Sequence, residues 1–94
     1  MTRDLSLEDF AGHIGEAYEI AQDGGPIVLV LEAASSVPGG QRPSGALRLA
    51  FRGPSEPMLP QSIYTMRRGG EALDIFIVPV GCNDAGTEYE AVFF

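Results

Sequence analysis

The chain has 94 residues, 45% of them hydrophobic, which suits one globular domain and excludes a disordered chain. Thirteen acidic side chains face six arginines and no lysine, and the net charge of −7 argues against general binding to phosphate backbones or anionic lipid. The single cysteine, Cys82, excludes an internal disulfide and a thiolate metal cluster.

Met1 to Asp4 lacks the apolar core of a signal peptide, and no apolar run approaches membrane-spanning length. The expected compartment is therefore the cytoplasm, although export without a classical signal leaves no mark in a sequence.

The first element expected is a helix of about residues 7–14. Ser6 is placed to cap it, with Asp9 at the third helical position in the manner of a capping box. Leu5 and Phe10 are spaced as a hydrophobic staple, and Glu8 and Asp9 sit in the positive first turn. Leu7, Phe10 and Ile14 would form one apolar stripe covering a barrel end or a sheet face. Gly12 and Gly15 keep the helix short.

Beyond Gly15 the period changes to two. Tyr18 and Ile20 alternate with Glu19 up to a turn at Asp23-Gly24-Gly25-Pro26. Ile27 to Leu31 is continuously apolar and reads as a strand covered on both faces. Ser35 to Gly45, rich in Gly, Pro and Ser, is the longest expected loop. Ala46 to Arg52 alternates cleanly, with Leu47, Leu49 and Phe51 on one face and Arg48 and Arg52 on the other.

Gly53 to Pro60 carries three prolines, which remove donors and fix backbone angles, so it is expected as a rigid surface loop. Ile63 to Arg67 resumes a strand with Tyr64 and Met66 inward, and Gly69-Gly70 marks a hairpin. Leu73 to Val80 is apolar on both faces apart from Asp74, and Gly81 to Gly86 is a turn cluster. Thr87 to Phe94 closes the pattern, with Tyr89, Ala91 and Phe93 opposite Glu88, Glu90, Val92 and Phe94.

The expectation is a single, mainly β domain over residues 1–94. It is a small six-stranded antiparallel barrel or barrel-like sandwich with a short N-terminal helix, filled by its own side chains.

Little in this chain carries catalysis. His13 is the only histidine and is expected to face solvent; Cys82 lies in a turn with no adjacent cation to activate it. Asn83 to Glu88 lacks the alternating ligands of a calcium loop, and no glycine pair has the context of a phosphate-binding loop. Ser55 lacks the flanking glycines of a nucleophile elbow. No catalytic, metal or cofactor-binding residue is expected, and no cofactor.

The arginines Arg48, Arg52 and Arg67-Arg68 either answer acids across strands or anchor an acidic partner or C-terminal carboxylate. The two-faced apolar strands and Val92-Phe93-Phe94 suggest apolar surface for docking or for a homodimer. The expected partner-binding surface is Arg48, Arg52, Pro54, Pro57, Met58, Leu59, Pro60, Phe93 and Phe94.

Three segments together resemble a known family. They are Leu5-Ser-Leu-Glu-Asp-Phe10 with Gly15-Glu16, then Phe51-Arg-Gly-Pro54 with Leu59-Pro60-Gln61 and Tyr64, then Phe76-Ile-Val-Pro79-Val-Gly81 with Tyr89-Glu-Ala-Val-Phe93. The order is similar to that of short bacterial proteins classed as a domain of unknown function, often encoded beside phage-tail-collar-type fibre proteins. The resemblance implies a small barrel-like domain, a link to fibre biogenesis and no catalytic residues.

Three functions follow as expectations. The first is a non-enzymatic interaction module, an accessory or adaptor of a tail-like or fibre assembly. The second is a small-ligand-binding barrel, and the third an enzyme using Cys82 and His13.

Overall fold

A computed structural model describes residues 7–22, 24–37 and 46–93. In chain order these form α1 (Glu8–Ala11), β1 (Ala17–Ile20), β2 (Ile27–Val37), β3 (Ala46–Gly53), β4 (Ser62–Arg68), β5 (Glu71–Asn83) and β6 (Gly86–Phe93). Every strand pairing is antiparallel, and the sheet closes on itself in the order β1-β2-β3-β6-β5-β4. The expected six-stranded antiparallel ring with one short helix is the fold observed. Among the described residues no helix is long and apolar enough to cross a membrane.

Alternation fills the ring. Along β3, Leu47, Leu49 and Phe51 point inward and are buried, while Arg48 points outward. Tyr18 meets Phe51 edge-on across the interior at 5.3 Å, an arrangement aromatic quadrupoles favour. Met66, Ile75, Ile77 and Tyr89 complete the inner face. Each buried aliphatic side chain contributes about 2 kcal/mol of transfer free energy.

Several expectations are corrected. The helix is one turn rather than two: it stops at Gly12, so Phe10 is buried but Ile14 stays 47% exposed. Glycine is a poor helix former, and Ile14 never reaches the face of Phe10. Ser6 and Leu5, with the cap and staple expected of them, lie outside the described residues, as does Phe94.

The runs expected to be covered on both faces are not. Val28 and Val30 on β2, and Phe76 and Val80 on β5, stand 37–56% exposed, because a closed ring has a single interior face. Ser35 to Val37 belong to β2, paired with Arg48 to Ala46, and the rest of the expected long loop lies outside the described residues. The expected 81–86 turn cluster shrinks to Asp84-Ala85, since β5 runs to Asn83 and β6 starts at Gly86. Gly86 has φ +124°, and a Cβ there would stand 2.1 Å from the Gly53 carbonyl oxygen, so only glycine fits.

Ring order also fixes what closes each mouth. β3 and β4 stand three places apart, directly across the ring, so segment 54–61 must cross the mouth to join them. The β1–β2 and β5–β6 turns share that mouth. At the other mouth lie α1, the β4–β5 turn at Gly69-Gly70 and the end of β6.

Candidate functional site

The segment crossing the first mouth is a strap fixed at few points. Leu59 is its buried anchor at 3% exposure, and its backbone N–H donates to the Tyr89 hydroxyl at 2.9 Å. The Tyr64 hydroxyl donates to the Pro60 carbonyl at 2.7 Å, tying the strap to β4. Burial pushes the Tyr64 phenol up from its ordinary value. The Glu56–Pro57 peptide bond is cis. Pro54, Pro57 and Pro60 are exposed, and Met58 is 55% exposed.

Between this strap and the β1–β2 turn lies a groove of about 730 Å³. One wall is Pro54, Glu56, Pro57, Met58, Leu59 and Pro60; the other is Gln22, Gly24, Gly25, Pro26, Ile27 and Val28. Glu56 is the one charged side chain among these lining residues. The groove is therefore mostly apolar, with a single carboxylate on its strap wall. The second wall was not foreseen from the sequence. Its signal was Gly24-Gly25-Pro26 before an apolar strand, which reads as a turn and says nothing of what the turn faces.

β1 is four residues long and meets β4 only at Glu19–Arg67 and Ile20–Met66. Among the described residues, Ser62 to Thr65 therefore carry a ladder on the β5 side alone. The seam between β1 and β4 forks at this point, and the groove lies at the fork.

The other expected surface residues fall elsewhere. Arg48 bonds Glu90 at 2.6 Å, and Arg52 bridges Glu32 at 2.8 Å and Glu88. These arginines answer acids on neighbouring strands, as surface ion pairs that contribute little to stability. Phe93 is half-buried at the opposite mouth, its ring 6.2 Å from that of Phe10. Pro54 to Pro60 and Phe93 thus do not share a surface, and within the strap Leu59 points inward.

The helix-side mouth is closed by Arg68, a role that its sequence position did not disclose. Its Nη1 donates to the Asp9 carbonyl at 2.8 Å and to the Tyr18 hydroxyl at 2.7 Å, and its Nη2 to Glu71 at 2.8 Å. The guanidinium lies 5.8 Å from the Phe10 ring centre and 5.4 Å from that of Tyr18, within cation–π range. Burial pushes the Tyr18 phenol up, partly offset by the bond from Arg68.

Cys82 and His13 lie at opposite mouths. The Cys82 thiol is 3.8 Å from the Ser55 carbonyl and 3.5 Å from the Thr87 hydroxyl, beside the strap. His13 pairs with Glu16 at 2.6 Å, beside the helix, and is half-exposed rather than fully solvated. Among the described residues, no three His, Cys, Asp or Glu side chains gather around one possible metal position.

Comparison with known proteins finds no match among curated proteins and none among solved structures. A sequence model of the family described as a domain of unknown function, DUF6916, matches residues 5–93. With that match spanning strap, ring and helix alike, the chain belongs to this family of domains of unknown function.

Proposed function

We propose that the chain is a non-enzymatic interaction module, an accessory or adaptor of a fibrous, phage-tail-like assembly, and that it docks through the strap mouth. The observation carrying this reading is the groove, a concave apolar surface of about 730 Å³ walled by exposed Pro54, Pro57 and Met58. Apolar side chains held out toward water beside a groove are what a protein partner covers. Proline fixes its own φ and restricts the residue before it, so a proline-rich strap loses little freedom when a partner lands. The fibre partner rests on the sequence resemblance, an argument from genomic neighbours rather than from these side chains.

The test is co-purification of the tagged chain with the products of the genes flanking its own. The proposal expects a fibre or tail-collar-type product to be retained. Failure with every neighbour, fibre proteins included, overturns it.

A further inference from the structure

We infer that the strap mouth takes an extended, basic polypeptide segment, which adds as a short strand to the open edge of β4 and seats a cationic side chain in the groove. This rests on the interaction-module reading and names the partner's chemistry. Among the described residues, Ser62 to Thr65 have no strand partner on the side of β1. An edge of this kind presents backbone donors and acceptors that a second extended chain can satisfy. On its outward face stands Ile63, 66% exposed, ready for an apolar cross-strand neighbour.

The groove begins two residues before that edge, at Pro60, and suits the next side chain along the incoming strand. Its walls, Val28, Pro57 and Met58 among them, are mostly apolar, while Glu56 supplies the one carboxylate among the described lining residues. That pattern fits a lysine or arginine whose apolar stem lies along the wall and whose charged head meets an acid. Among the described residues no ion pair occupies Glu56, and the chain's net charge of −7 draws basic partners over a longer range. Strand addition thus places alternate side chains on Ile63 and in the groove, which calls for an alternating apolar and basic sequence.

The experiment is titration of the isotope-labelled chain with a short synthetic peptide alternating valine and lysine, followed by amide NMR. The same peptide with alternate backbone nitrogens methylated, and a valine–glutamate peptide, serve as controls. The inference expects the largest shifts at Ser62 to Thr65 and at Gly24 to Val28, slowed exchange of the β4 edge amides, and no binding by either control. Glu56→Gln should weaken the lysine peptide by roughly two- to fivefold, the range for a solvated ion pair.

Equal binding of the methylated peptide would mean bulk charge attraction and overturns strand addition. No binding by the lysine peptide, or shifts confined to other strands, overturns it as well. If a fibre-type product co-purifies while its shifts avoid the β4 edge, the interaction module stands and this inference falls.

Discussion

At the helix-side mouth, one guanidinium gathers the Asp9 carbonyl, the Tyr18 hydroxyl and the Glu71 carboxylate, with two aromatic rings against it. At the strap-side mouth, Leu59 drops in as a plug and a single buried N–H reaches Tyr89. The first closure pairs the Arg68 guanidinium on three sides and buries the rings of Phe10 and Tyr18. The second leaves Met58, three prolines and a carboxylate facing outward around a groove. A ring needs both mouths shut to keep its core dry, and among the described residues the groove lies at the second. On the proposed reading, the helix-side mouth serves structure and the strap-side mouth serves recognition.

The contrast can be broken from the structural side first. Arg68→Met keeps the stem but removes every donor, including the one to the hydroxyl of buried Tyr18, and should cost about 2 kcal/mol, read as a lower urea midpoint. A loss under a few tenths would mean that the helix mouth is not held by this residue. Leu59→Ala removes the strap's plug and should cost about 2 kcal/mol, with hydrogen exchange accelerating in the strap before the ring. Uniform acceleration across all strands would mean that strap and ring open together.

A smaller effect separates the mouths by pH. Tyr18 holds its proton more tightly in the fold than the ordinary value of 10.0, chiefly because it is buried. Above that pH the unfolded chain has released a proton that the native chain retains, so stability falls as pH rises. The loss begins near the unfolded value and continues through the raised native one. Tyr18→Phe should flatten part of this slope in urea unfolding followed through the alkaline range. An unchanged slope would assign the titration elsewhere, with Tyr64 as the next group.

Much of this architecture is legible in the chain. Period-two alternation in Ala46 to Arg52 and Thr87 to Phe93 gives both the strands and their inward faces, because a half-buried strand must alternate. Gly69-Gly70 marks its hairpin for an equally local reason. The errors come from the opposite kind of fact. Continuous apolarity in Ile27 to Leu31 looks the same whether the outer residues are covered or left in water, and ring closure left them out.

The strap was legible as a proline-rich surface loop but not as a mouth closure, since crossing the ring depends on β3 and β4 being non-neighbours. The second wall of the groove, Gln22 and Gly24 to Val28, and the three-way bonding of Arg68 are likewise products of which strands meet. No local spacing encodes them.

The claim that recognition belongs to one mouth has a matched pair of probes. Met58 at the strap and Ile14 at the helix side are similarly exposed, 55% and 47%, so Met58→Ser and Ile14→Ser should each leave the fold nearly unchanged. The decisive measurement is retention of the fibre-type partner by each variant in the co-purification assay. The account predicts that Met58→Ser loses most of the captured partner while Ile14→Ser retains it. Loss with Ile14→Ser alone, or equal retention by both, would contradict it.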